Sequence, residues 1–259
     1  MVSLFRQLVR AEDPAYDDLP LVDAGERIYA IGDIHGRIDV LYQMIELIVE
    51  DVERCTDTRE PRLIFLGDYI DRGDNSRDVI DALMMIEKEL VFEGVDCLLG
   101  NHEAALLAFL DAPETRHEWL RFGGMQTLAS YMVAPPSARM EPDELISVRD
   151  ALCDSMGPHL SFFRACKQTI RSGDVIFAHA GIDPHLPLNA QSDAATLWGR
   201  SGFLDSGGVP GLRVVHGHYD GPEPVMAPHR ICVDTGAYYT GQLTAVRLDA
   251  GEKLLVTRN

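Results

Sequence analysis

Apolar and polar positions alternate along this chain in two textures. Short, mainly apolar runs cover 28–31, 63–66 and 95–99, the last interrupted by Asp96, and each ends in a glycine-bounded polar segment. Between them lie longer stretches whose apolar residues recur every three or four positions. In 40–52 these are Leu41, Met44, Ile45 and Ile48, and in 77–91 they are Ile80, Leu83, Met84 and Ile86. The first texture predicts buried strands and the second amphipathic helices. A third helix is expected over 104–110. Strand–helix alternation of this kind predicts right-handed βαβ units around a mainly parallel sheet.

The pattern then changes. Residues 111–171 are helix-patterned but interrupted by Pro113, Pro135, Pro136, Pro142 and Pro158, which predicts a helical insert within one domain. An apolar run at 175–178 returns the chain to the sheet. Short runs at 213–215, 230–233, 243–247 and 254–257, separated by Gly, Pro and Asp, predict hairpins and a meander. The expected organisation is an extension over 1–26 followed by one domain over 27–259. The amphipathic stretch 4–9 is too short and interrupted for a signal peptide and reads as part of a solvent-exposed extension.

Composition narrows the chemistry. With 41 acidic and 23 basic residues the formal net charge is −18, which disfavours binding nucleic acid through its phosphates. A small phosphate ester stays open, because metal ions can dominate a local field whatever the global charge. No apolar stretch is long enough to span a bilayer, so no membrane partner is expected. Five scattered cysteines without a Cys-x-x-Cys pair are expected to be reduced thiols, which predicts a cytoplasmic protein.

The polar segments that end the strands carry the candidate chemistry. Asp33 and His35 follow the first strand, Asp68 the second and Asn101 the third, at roughly the 30-residue spacing of a βαβ unit. His179 follows the run at 175–178, and His216 and His218 follow Val214 and Val215. Parallel strands present their C-terminal ends along one sheet edge, so these residues are expected to converge there. A carboxylate, imidazole and amide set suits Mn²⁺, Fe or Zn²⁺ better than Ca²⁺ or a thiolate-bound zinc. Two ions about 3.5–4 Å apart can share a carboxylate, and Asp68, from the middle strand, is the natural bridge. The chain lacks a phosphate-binding Gly-x-x-x-x-Gly-Lys loop and a His-Glu-x-x-His helix. Gly199-Arg200-Ser201-Gly202 also misses a nucleophile elbow.

Gly32-Asp33-Ile34-His35-Gly36, Gly67-Asp68-Tyr69-Ile70-Asp71-Arg72-Gly73 and Gly100-Asn101-His102-Glu103 closely resemble the signature of the PPP-type metallophosphoesterases of the calcineurin-like superfamily. That group includes bacterial serine/threonine protein phosphatases and symmetrical diadenosine tetraphosphate hydrolases. The resemblance spans about residues 27–247 and implies a four-layer α/β/β/α sandwich with two divalent ions, Mn²⁺ first, at one edge. It implies that Asp33, His35 and Asp68 hold one ion, and that Asp68, Asn101, His179 and His218 hold the other. His218 is preferred to His216 because it occupies the Gly-His position of the last motif.

The resemblance further implies that His102 protonates the leaving group, with Asp71 orienting it, and that Arg72 and Arg200 clamp the phosphate. A histidine paired to a carboxylate suits the first task, and guanidinium forks suit the second. Glu103 is expected to support its loop. The activity implied is phosphomonoester hydrolysis on phosphoserine, phosphothreonine or phosphotyrosine in proteins, or on a small phosphate ester. Symmetrical diadenosine tetraphosphate hydrolysis is the alternative. Members with that activity typically carry Gln in place of His35 and Ala in place of Asp71, so both residues point to the phosphatase side. A non-catalytic phosphate-binding scaffold is a third reading, disfavoured because every expected residue type is present.

Overall fold

The structure, a computed structural model, describes residues 21–89, 92–200 and 202–257. The amphipathic stretch at 4–9 lies outside the described residues. Strands β1 (Glu26–Ile31), β2 (Glu60–Phe65) and β3 (Gly94–Cys97) run parallel and alternate with helices α1 (Ile38–Glu53), α2 (Ser76–Glu89) and α3 (Asn101–Asp111). A 3₁₀ turn (His117–Phe122), α4 (Gly124–Ser130), α5 (Pro142–Met156) and α6 (His159–Ala165) follow. Pro142 opens α5, where its missing N–H costs nothing.

The second half supplies β4 (Thr169–Ser172), β5 (Val175–Ala178), α7 (Asp193–Thr196), β6 (Arg213–His216), β7 (Val225–Met226), β8 (Arg230–Cys232), α8 (Ala237–Thr240), β9 (Thr244–Leu248) and β10 (Glu252–Val256). Two five-stranded sheets result, in the orders β10-β9-β1-β2-β3 and β4-β5-β6-β8-β7. Within each, three central or adjoining strands are parallel: β1, β2 and β3 in the first, β5, β6 and β8 in the second.

Period-two alternation sorts the strand residues into layers. Ile28, Ala30, Ile64 and Leu66 meet Val175, Phe177, Val215 and Ile231 between the sheets. Tyr29, Ile31, Leu63 and Phe65 face the other way, onto α1, α2, α3 and the apolar side of α4, α5 and α6. Leu128, Leu145, Leu152 and Phe163 belong to that same cluster, so these later helices share the main core. On the outer face of the second sheet, Ile176, Ala178 and Val214 pack with Ile182 and Phe203. That outermost layer is thin, built from the single turn of α7 and two 3₁₀ turns, Leu188–Ala190 and Phe203–Asp205.

Three features differ from the sequence expectation. The helical segment ends at Ala165, and Thr169–Ser172 forms edge strand β4 because Ile170 turns inward while Arg171 turns out. Strand β7 was not anticipated, since its two residues are both exposed and carry no alternation. Residues 21–23 are docked: Val22 is buried, Asp174 N–H donates to Leu21 O at 2.9 Å, and Asp23 N–H donates to Ser172 Oγ at 2.9 Å. No helix among the described residues is long and apolar enough to cross a membrane.

Candidate metal centre

Six parallel strands end at one rim, and each is followed by a polar residue. Asp33 and His35 follow β1, Asp68 follows β2, Asn101 and His102 follow β3, His179 follows β5, His218 follows β6, and Asp234 follows β8. All are buried except His218, which is half-buried. The turns that hold them are tight. Of the seven described non-glycine residues with positive φ, five are His35, Asp68, Asp71, Arg72 and His218. Backbone strain concentrated in this way persists only where the surroundings over-determine it.

Those surroundings are specific. The Asp68 carbonyl accepts from the N–H groups of Ile34 and His35 at 3.0 and 2.9 Å, which locks the first two loops together. The Glu103 carboxylate accepts from the N–H groups of Asp68, Tyr69, Ile70 and Gly100 at 2.8–3.2 Å. Glu103 thus supports the loops, as its sequence position suggested. Glycine is required at two close approaches. A Cβ on Gly217 would lie 1.9 Å from Asp33 Oδ1, and one on Gly100 would lie 2.2 Å from Asp68 Oδ1.

Asp68 is central. Its Oδ2 lies 3.5 Å from His35 Nε2, and its Oδ1 lies 3.4 Å from His179 Nε2. The two carboxylate oxygens therefore face two different ligand groups, the geometry a bridging carboxylate needs. His35 Nδ1 donates to Ile70 O at 2.8 Å, and His179 Nδ1 donates to Leu66 O at 2.9 Å. Each backbone bond fixes the tautomer and leaves the Nε2 lone pair facing the cluster. His179 Nε2 and His218 Nδ1 converge on Asn101 Oδ1 at 2.8 and 2.9 Å.

The electrostatics match this arrangement. Burial pushes the His35 imidazole down to about 3, against the opposing charge of Asp68. Burial also lowers His179, and burial together with His179 lowers His218 to about 4. All three are neutral, as a ligand must be. Burial, then the charges of Asp234 and Asp68, hold the Asp33 carboxyl well above its usual range. Its Oδ1 is buried without a hydrogen-bond partner, while its Oδ2 accepts from the His218 N–H at 3.1 Å. An orphaned carboxylate oxygen among neutral imidazoles is the donor set of a cation site. The residues present fit divalent metal ions.

His102 adjoins this cluster, its Nε2 3.9 Å from Asp68 Oδ2 and its ring edge-to-face with His35 at 4.7 Å, and it pairs with Asp71. His102 Nδ1 donates to Asp71 Oδ2 at 2.7 Å, Trp119 Nε1–H donates to the same oxygen at 2.8 Å, and Thr127 Oγ1–H donates to Oδ1 at 2.6 Å. Burial alone would lower the His102 pKa. The charge of Asp68 and the hydrogen bond to Asp71 outweigh it and push the imidazole up to about 9. Arg72 Nη2 lies 3.3 Å from His102 Nε2, so guanidinium and imidazole address one point.

Arg200 is exposed, and its guanidinium lies over the Trp198 ring at 6.0 Å. Its loop is tied to the rim through Tyr219, whose hydroxyl donates to Gly199 O at 3.1 Å and whose ring packs on His218. Among the predicted residues, Arg200 alone makes no polar side-chain contact with the cluster's described residues. His216 faces outward on β6, like Val214 two residues earlier, and its ring packs against Phe203. Sequence reasoning missed Asp234, whose position after β8 obeys the rule that found the others. It also missed Trp119 and Thr127, which no local signal marks.

Residues 26–219 match the model of the calcineurin-like phosphoesterase family. The chain belongs to this family. Among curated members, a bis(5′-nucleosyl)-tetraphosphatase PrpE, described as asymmetrical, from Oceanobacillus iheyensis is 26% identical over 245 residues, 87% of this chain and 90% of its own length. Among solved structures, a putative diadenosine tetraphosphatase shares the fold with a TM-score of 0.55 and 19% identity, covering 93% of this chain and 99% of the other. A cold-active protein-tyrosine phosphatase from a Shewanella species gives a TM-score of 0.51 at 18% identity, covering 92% and 82%. The curated member of this calcineurin-like phosphoesterase family carries a dinucleoside polyphosphatase name, and the two solved structures share the fold.

Proposed function

We propose that this chain is a metal-dependent phosphomonoesterase acting on phosphoserine, phosphothreonine or phosphotyrosine in proteins. The observation that carries the reading is the buried His102–Asp71 pair, in which Asp71 Oδ2 accepts from His102 Nδ1 at 2.7 Å and from Trp119 Nε1–H at 2.8 Å. An alkoxide is a poor leaving group and needs a proton as the ester bond breaks, whereas a nucleotide released from a polyphosphate leaves without one. A retained and well-supported acid therefore favours a monoester of an alcohol or phenol.

Asp33, His35 and Asp68 would hold one ion, and Asp68, Asn101, His179 and His218 a second, with Mn²⁺ proposed in both. Bound divalent ions supply Lewis-acid polarisation of the phosphoryl group and an acidified water. Arg72 holds phosphoryl oxygens, and Arg200 is proposed to join it from the Tyr219-anchored loop. His102 Nε2–H donates its proton to the departing oxygen, and Asp71 keeps that imidazole oriented and charged.

Hydrolysis of a dinucleoside tetraphosphate is the second reading, favoured by the name of the Oceanobacillus relative. Phosphate release from a phosphoserine peptide and from diadenosine tetraphosphate, measured side by side on manganese-loaded protein, separates the two. A large preference for the dinucleotide would overturn the proposal.

A further inference from the structure

An open cleft of about 780 Å³ lies beside Arg72, and its lining includes Leu120, Arg121, Phe122, Met125, Gln126 and Tyr238. Its size is that of a small-molecule site. The cavity adjoins the acid's side of the metal centre. A Cβ on Gly123 would lie 2.6 Å from Arg72 N and 2.9 Å from Asp71 Cβ, so only glycine lets this wall pack directly on the segment that holds His102. Whatever leaves with the oxygen protonated by His102 would move into this space.

The lining mixes aromatic and apolar groups with arginine and glutamine side chains, and one of its rings is held out where the core does not require it. Trp119 and Leu120, in the same 3₁₀ turn, are 1% exposed, whereas Phe122 is 64% exposed. Tyr238 also lines the cleft, with the Arg72 guanidinium carbon 4.7 Å from its ring centroid and its ring edge-to-face with His35 at 5.5 Å. Two rings and a methionine therefore flank a phosphate-facing arginine. Aromatic side chains hold a planar ring by offset or edge-to-face contact, and methionine sulfur adapts to a ring edge. We infer that this cavity is a leaving-group subsite for the ring of an aryl phosphate, of which phosphotyrosine is the form found in proteins. The ring sits against Phe122, Met125 and Tyr238 while Arg72 holds the phosphate attached to it. This inference rests on the phosphomonoesterase reading and narrows its substrate class.

Non-hydrolysable probes test it on the full-length, manganese-loaded protein. Calorimetric affinities are measured for methylphosphonate, phenylphosphonate and an adenosine 5′-phosphonate. Phenylphosphonate is expected to bind about tenfold or more tightly than methylphosphonate. Phe122→Ala should reduce that ratio to within about twofold, and Phe122→Tyr should restore it. Equal affinities for the two simple phosphonates, no binding of either, or a ratio unmoved by Phe122→Ala would overturn the inference. Tighter binding of the adenosine compound than of phenylphosphonate would also overturn it, assigning the cavity to a nucleobase. Turnover of methyl and phenyl phosphate, followed in parallel, separates the two levels. Turnover without ring dependence removes the subsite alone. Ring-dependent binding without turnover removes the enzymatic reading and leaves the subsite.

Discussion

His102 Nδ1 lies 2.7 Å from Asp71 Oδ2, and Trp119 Nε1–H donates to that same oxygen. The negative charge of Asp71 helps raise the His102 pKa, so removing it lowers that pKa. In its proposed role as acid, His102 would work only while protonated, and its contribution would be lost as pH rises through its pKa. Asp71→Asn should therefore move the alkaline limb of the pH–rate profile to lower pH. It should also lower kcat for a phosphoserine peptide by about 100-fold. With p-nitrophenyl phosphate, whose leaving group needs no proton, the loss should be several-fold only. Equal losses on both substrates with an unmoved limb would contradict the role.

Trp119→Phe keeps the ring but deletes the donor to a fully buried carboxylate. Leaving such an oxygen less satisfied costs about 1–3 kcal/mol, read as a lowered denaturation midpoint. The kcat loss should be smaller than for Asp71→Asn but carry the same leaving-group dependence. A stability loss with no change in leaving-group dependence would limit Trp119 to a packing role.

Gly217→Ala places a methyl against Asp33 Oδ1. Bound manganese, measured by elemental analysis after dialysis, should fall from about two ions per chain toward one. Full retention of both ions would remove Asp33 from the centre.

Away from the rim, Asp51 is buried and accepts hydrogen bonds from Tyr29 Oη at 2.8 Å, from Arg247 Nη1 at 2.9 Å and from the Lys253 ammonium. Burial would raise its pKa, but these partners hold it below the usual carboxylate range. A depressed carboxylate stabilises the fold above its unfolded pKa of about 3.9, and that contribution is lost as pH falls through the folded value. Asp51→Asn should cost about 1 kcal/mol at pH 7, because it removes charge-assisted hydrogen bonds to a half-buried Arg247 and an exposed Lys253. The gap from wild type in urea unfolding should shrink below about pH 4. A gap independent of pH would contradict the assignment.

Much of this arrangement was legible in the chain. Three apolar runs ending in Gly-Asp or Gly-Asn announced parallel strands, and the rule that ligands follow such strands located Asp33, His35, Asp68, Asn101, His179 and His218. Those residues do meet at one rim. Asp234 obeyed the same rule but sat in a β-rich stretch read as hairpins, where a parallel strand was not expected. Trp119 and Thr127 reach Asp71 across 48 and 56 residues. A contact of that span depends on how the insert folds back, and no local periodicity encodes it. The two-residue β7 and the thin outer layer escaped for a related reason: they are too short to show a period and carry no unbroken apolar run such as the one that marked β5.

The proposed phosphomonoesterase activity requires a metal centre that Asp68 would bridge. Its most direct test is phosphate release from a phosphoserine peptide by chelator-treated protein, before and after Mn²⁺ is returned, for wild type and Asp68→Asn. Release should be absent after chelation, recover with Mn²⁺ in wild type, and stay absent in Asp68→Asn. Release that survives chelation, or recovers equally in Asp68→Asn, would contradict the account.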